Sequence, residues 1–227
     1  MEKILIICGH YGCGKTNLAL NIALEEAQGE RQITLADLDI VNPYFRSSEY
    51  GKLLAEKGIR LISPVFAGTT MDTPTLPPEV FSIFSENSGR AILDAGGDDA
   101  GITALGGLHT QIEATGYEMI YVINRYRVLS QTADKAVSLL REIENASKLK
   151  ATAIVNNSHL GVDTTTETIS AALPFAEETS KKAELPLLYS TIPDFAVNSE
   201  KDLSENMKNI KIIQRLVRFP WENEEYT

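Results

Sequence analysis

Gly9-His10-Tyr11-Gly12-Cys13-Gly14-Lys15-Thr16 is the stretch on which the reading of this chain turns. It follows a short apolar run, Ile4-Leu5-Ile6-Ile7, that reads as a buried strand. It opens a segment from about Lys15 to Gln28 with helical character, which Gly29 ends. The eight residues fit G-x-x-x-x-G-K-[ST] without a mismatch. Glycines let the backbone turn so that successive N–H groups converge on an anion. A lysine in this place delivers positive charge to β- and γ-phosphates, the following hydroxyl suits Mg²⁺, and the helix adds the positive end of its dipole. Gly9, His10, Tyr11, Gly12, Cys13, Gly14, Lys15, Thr16 and the next residue, Asn17, are therefore expected to bind a nucleotide, with Lys15 also acting in catalysis and Thr16 on the metal.

Outward from this loop, short apolar runs alternate with helical segments. Strands are expected at Ile33–Ala36, Arg60–Ile62, Ala91–Leu93, Met119–Ile123, Ala153–Val155 and Leu187–Tyr189. Helices are expected from Ser48 to Lys57, capped by Ser47 or Ser48 and stopped by Gly58, and from Asp134 to Glu144. The turn-rich segment from Gly68 to Pro78 reads as a loop leading into a helix near Pro78. Continuous apolar strands separated by helices imply a sheet covered on both faces. The expected fold is α/β: a doubly wound, mostly parallel sheet in one domain over residues 1–227.

In open sheets of this kind the ligand sits beyond the carboxyl ends of the strands. Two acidic segments fall there. Ala36-Asp37-Leu38-Asp39 ends the second strand, and Asp94-Ala95-Gly96-Gly97-Asp98-Asp99 ends a later one. Asp94 is expected to hold Mg²⁺ or one of its waters. Gly97 is expected to bring a backbone N–H against the γ-phosphate, and Asp39 to orient the attacking water, with a second candidacy as a metal ligand.

Together these residues resemble the MinD/ParA family of P-loop ATPases. Asp37-Leu38-Asp39-Ile40-Val41-Asn42-Pro43 resembles its switch I, Asp94-Ala95-Gly96-Gly97-Asp98 its switch II, and Thr191-Ile192-Pro193-Asp194 its base-contacting loop. Asn156, within Ile154-Val155-Asn156-Asn157, stands where that family often reads adenine. The resemblance implies a seven- or eight-stranded sheet, binding of ATP with Mg, slow hydrolysis and a nucleotide-dependent homodimer. One position departs from the pattern: the family's signature lysine, which reaches across the dimer, is replaced by His10, with Arg46 as a substitute cation. Guanine readers use Asn-Lys-x-Asp, and Asn156-Asn157-Ser158-His159 has no Asp in fourth place, which favours ATP over GTP.

A net charge of -10 gives no help to nucleic-acid binding, and none is expected. Cys8 and Cys13 make a poor disulfide framework and read as packing residues of a reduced, cytoplasmic chain, while His109 and His159 read as solvated or capping. A second functional reading is an ATP-dependent ligase or small-molecule kinase, with an acceptor pocket lined by Thr69–Thr73 and Arg125-Tyr126-Arg127. A third takes Met207–Phe219 as an amphipathic helix able to lie on a membrane, though the acidic stretch Glu222-Asn223-Glu224-Glu225 opposes it; a last helix packed on the sheet is the expected alternative.

Overall fold

The computed structural model describes residues 2–29, 31–39, 50–64, 76–97, 99–197 and 209–217. The remainder of switch I from Ile40 to Pro43, Arg46, Ser47, Ser48, Asp98, the loop Thr69–Thr73 and the acidic residues from Glu222 lie outside the described residues.

Eight strands form one sheet: β1 (Ile4–Cys8), β2 (Ile33–Asp37), β3 (Arg60–Ile62), β4 (Arg90–Asp94), β5 (Tyr117–Ile123), β6 (Ala153–Asn156), β7 (Leu187–Pro193) and β8 (Ile210–Ile213). Their order is β3-β2-β4-β1-β5-β6-β7-β8, and every neighbouring pair is parallel. Among the described residues six α-helices connect them: α1 (Lys15–Glu26), α2 (Gly51–Glu56), α3 (Asp99–Gly107), α4 (His109–Thr115), α5 (Ala133–Ser147) and α6 (Thr166–Ala183). The helix expected near Pro78 is a 3₁₀ helix, Pro78–Phe84, with proline at its first position where no N–H is needed.

Side chains alternate across each strand, and this divides the core into two layers. Ile4, Ile6 and Cys8 of β1 pack with Leu105, Ile112, Leu140 and Phe175, so α3 to α6 cover one face. Leu5 and Ile7 pack with Leu18, Ala19, Ile22 and Leu54, so α1 and α2 cover the other. Helices on both faces bury the central strands β1, β2 and β4 at every residue, which is why those strands read as continuous apolar runs. Thr132 caps α5 by accepting from Lys135 N–H, and Thr165 forms a reciprocal capping box with Thr168 at the start of α6.

The last helix expected from sequence is absent where the structure describes it. Ile210–Ile213 is a strand, β8, paired with β7 from Ser190↔Ile210 to Pro193↔Ile213. Ile210, Ile213, Leu216 and Val217 have helical spacing, but Ile-Lys-Ile-Ile is rich in β-branched residues, and the open edge of β7 offers them a ladder. The membrane-lying helix loses its basis at these residues. Among the described residues, no helix is long and apolar enough to cross a membrane.

From β1 the chain runs out to β2 and β3, returns to insert β4 beside β1, and then crosses to β5 on the other side. The direction of winding therefore reverses around β1. In a parallel sheet such a reversal opens a crevice at the carboxyl ends of the strands, and Gly9–Gly14 leaves β1 at that end.

Candidate nucleotide site

The loop after β1 is shaped from outside by hydrogen bonds to its carbonyl groups. His10 O accepts from Cys13 N–H at 3.2 Å and from Lys15 Nζ at 3.3 Å. Gly12 O accepts from Arg127 Nε at 2.7 Å, Cys13 O from Asn157 Nδ2 at 2.7 Å, and Gly14 O from Leu18 N–H at 3.0 Å. Carbonyls pinned outward turn the intervening N–H groups inward, which is the requirement for an anion nest. Gly14 has φ 86°, a left-handed conformation, and a Cβ there would collide with Asn157 Nδ2. Glycine is needed at that position on both counts.

Beside the loop lies a cavity of about 480 Å³, in the size range of small-ligand sites. Of the residues expected from sequence, Tyr11, Gly12, Gly14, Lys15, Thr16, Asn17, Asp39 and Pro193 line it. Gly9, Cys13 and Asp94 are buried behind it. His10 turns back on its own loop, its Nδ1 3.0 Å from Tyr11 O. Gly97 stands against the loop: a Cβ on it would be 2.7 Å from both Lys15 Nζ and Tyr11 N. That contact brings the segment after β4 onto the lysine and an N–H of the loop.

Asp37 and Asp94 are partners in the β2–β4 register, and both are almost fully buried. Leu35 and Ile92, two residues earlier, belong to the core layer of α1, so alternation puts both carboxylates on the side of the sheet that carries Lys15 and Thr16. Asp39 N–H donates to Asp37 Oδ1 at 3.0 Å. Among the described residues no group of three or more His, Cys, Asp or Glu would hold a metal unaided. The donor set, a hydroxyl and one or two carboxylates beside a phosphate nest, fits a hard cation that completes its shell with phosphate oxygens and water.

Asn156, expected as the base reader, stands outside the cavity lining. It is fully buried, its Nδ2 donating to Ser190 Oγ at 2.9 Å and its Oδ1 accepting from Ser158 Oγ at 2.6 Å. Asn157 does line it, and is held by Cys13 O and Thr191 Oγ1. Arg125 and Tyr126, expected to line an acceptor pocket, reach instead to α6, where Arg125 Nη1 donates to Ala171 O and Tyr126 Oη to Thr168 O. Asn17 lines the cavity with its amide committed elsewhere. Its Oδ1 accepts from Leu216 and Val217 N–H at 2.9 and 3.1 Å, and its Nδ2 donates to Gln214 O.

His159, Arg127 and Arg215 also line the cavity. His109 acts as expected, its Nδ1 2.8 Å from Gly106 O between α3 and α4, but His159 is a half-buried wall of the site. Gly161 N–H donates to His159 Nδ1, so the neutral ring carries its proton on Nε2. Burial, and then the charges of Arg127 and Arg215, lower its pKa from 6.5 to about 4. Of these three, Arg127 is expected from sequence to line a pocket, and it does, while no motif announces His159 or Arg215; what unites them is position just beyond the ends of β5, β6 and β8. Cys8 and Cys13 are buried packing residues whose thiols burial pushes up in pKa.

No family model matches the chain, and no curated protein matches it. Solved structures do resemble it. The cell division protein FtsY of Thermotoga maritima has a TM-score of 0.56 at 15% identity, over 93% of this chain and 66% of its own. The signal recognition particle receptor FtsY of Elizabethkingia anophelis has a TM-score of 0.55 at 15% identity, over 92% of this chain and 63% of its own. The signal recognition particle 54 kDa protein of Aeropyrum pernix, solved with GDP, has a TM-score of 0.53 at 12% identity, over 83% of this chain and 41% of its own. The chain thus spans less than two thirds or just under two thirds of each. At such identity the likeness speaks to architecture alone, and the architecture shared is an eight-stranded, parallel α/β sheet with helices on both faces.

Proposed function

We propose that the chain binds ATP with Mg and hydrolyses it slowly, as a switch whose contacts with a partner protein change with the nucleotide. The observation that carries this reading is the loop itself, whose carbonyls from His10, Gly12, Cys13 and Gly14 are bonded outward beside a cavity. Phosphoryl transfer asks for positioning and charge stabilisation more than for covalent help. The loop N–H groups bind the phosphates, Lys15 supplies charge at their end, Gly97 adds an N–H, and Asp39 orients the attacking water. Mg²⁺, held by Thr16 and Asp94, would neutralise phosphate charge when bound.

Adenine is preferred to guanine on this reading, although the Aeropyrum neighbour was solved with GDP. The fourth residue of a guanine-reading segment is His159 counted from Asn156 and Leu160 counted from Asn157, and neither is a carboxylate. The base would lie among Leu160, Val162, Pro193 and Ile213, which supply apolar surface along the cavity. The resemblance to MinD/ParA proteins supports the switch; the neighbours by structure support only the fold.

Calorimetric titration of the whole chain with Mg-ATP and Mg-GTP tests this. Mg-ATP binds at least tenfold more tightly than Mg-GTP, and Lys15→Ala weakens Mg-ATP by tenfold or more while the circular dichroism spectrum is kept. Unchanged affinity in Lys15→Ala refutes the site. Release of phosphate without an added acceptor separates a switch ATPase from a ligase or kinase. GTP binding as tight as ATP would turn attention to Asp163, a carboxylate that also lines the cavity.

A further inference from the structure

We propose that Arg127 is a positioning residue of the phosphate loop, holding the Gly12 carbonyl outward and placing a second positive charge, besides Lys15, beside the bound polyphosphate. The inference rests on the nucleotide reading above and assigns it a residue that the loop motif does not contain.

A nest works only while its carbonyls face away from the anion. His10 O and Gly14 O are held by bonds from within the loop and its helix. Cys13 O is held by Asn157. Gly12 has φ 74°, a left-handed conformation that glycine adopts without strain, and among the described residues the side chain on its carbonyl is Arg127, with Nε at 2.7 Å. The guanidinium lies close against the loop: a Cβ at Gly12 would be 3.3 Å from Nε and 3.6 Å from Cζ. Without that bond the Gly12–Cys13 peptide is tied only through Cys13 N–H on His10 O, at 3.2 Å, and its carbonyl loses the side-chain donor that keeps it from the phosphates.

The arginine is delivered by a tied turn. Asn124, buried at the end of β5, accepts Tyr126 N–H on its Oδ1 at 2.9 Å, and its carbonyl accepts from Arg127 N–H and Ser130 Oγ. Arg125 and Tyr126 are anchored to α6. Support of this kind fixes the geometry of a side chain before any ligand arrives. Among the described residues the ion pairs formed do not include Arg127. Its charge is felt by Cys13 and by His159, on two sides of the loop. One Nε bond to a carbonyl leaves the outer edge of the planar fork for an anion, an arrangement that a lysine cannot copy.

The test uses Mg-ATP and inorganic tripolyphosphate as ligands of the full chain, with Arg127→Ala, Arg127→Gln and Arg127→Lys. Arg127→Ala weakens both ligands tenfold or more, and by similar factors, because the loss is on the phosphates and not on the base. Arg127→Gln keeps a donor for Gly12 O without the charge, so it loses less than alanine, and its deficit against the parent shrinks as salt is raised from 50 to about 500 mM, as screening requires. Arg127→Lys keeps charge without the fork and recovers less than half of the loss in affinity, on a logarithmic scale. Parent protein that binds no nucleotide removes the proposed function itself. Parent binding with Arg127→Ala and Arg127→Gln both within twofold overturns the role of Arg127 alone. Weakening of Mg-ATP with tripolyphosphate unaffected overturns it as well.

Discussion

His159 stays neutral over the range in which an exposed histidine titrates, and this has a measurable sign. Above the unfolded value of 6.5 neither the folded nor the unfolded chain takes up a proton there. Between 6.5 and about 4 the unfolded chain is protonated while the folded one refuses the proton, so folding stability falls as pH falls through that window and levels off below it. The loss is about 3 kcal/mol at most. Urea unfolding between pH 7 and 4 should show His159→Gln with a shallower decline than the parent; equal slopes would assign the acid sensitivity to other groups. Asn156 and Asn157 teach a related lesson about what sequence can reveal. Neighbours in a strand face opposite ways, and Asn157 shares the side of Val155, the layer of α1 and Cys13, while Asn156 shares the side of Ile154. Which of two asparagines meets the loop depends on which sheet face α1 covers, a tertiary fact that no residue pattern states.

Among elements, α1 does more than follow the loop. Asn17 and Asn21, one turn apart, grip the segment after β8: Asn21 Oδ1 accepts from Gln214 N–H at 2.8 Å, its Nδ2 donates to Gln214 O at 2.9 Å, and Asn17 takes Leu216 and Val217 N–H. Amide side chains satisfy a backbone ladder as a neighbouring strand would. Asn17→Ala leaves two N–H groups without their acceptor, at a cost of about 1–3 kcal/mol. Hydrogen exchange should report faster exchange at Leu216 and Val217 than in the parent, with β1 and β5 unaffected; unchanged protection would show the segment to be held by its apolar contacts. The strands with apolar runs were legible because burial on both faces demands such runs. β8 was not, because four residues with an exposed neighbour carry both periods at once, and only the free edge of β7 decides between them.

For the whole molecule, the loop motif and the alternation of strands and helices imply a parallel, doubly wound sheet, and the sheet is found. The order of its strands could not be read, since crossovers of similar length serve near and distant neighbours alike. The same scale governs assembly. The family resemblance implies a dimer formed on ATP through a lysine that crosses to the partner, whereas His10 is shorter and folds onto Tyr11 O. We expect any dimer of this chain to depend weakly on ATP. Light scattering with and without a non-hydrolysable ATP analogue should give nearly the same mass, and His10→Lys should strengthen the response. A complete monomer-to-dimer shift in the parent protein would refute this and assign the crossing contact to another cation.

The grip of α1 on the segment after β8 also bears on the order in which the molecule comes into being. Asn17 and Leu216 are 199 positions apart, and they meet at the wall of the cavity. Closing so long a stretch of chain is entropically demanding, and contacts of this span form late. The loop after β1 and the wall that contains Gln214, Arg215 and Val217 thus come from opposite ends of the sheet's chain order and complete one cavity. On the proposed reading, nucleotide affinity depends on this long-range contact as well as on the loop, so loosening the segment after β8 is expected to weaken binding even with the loop intact.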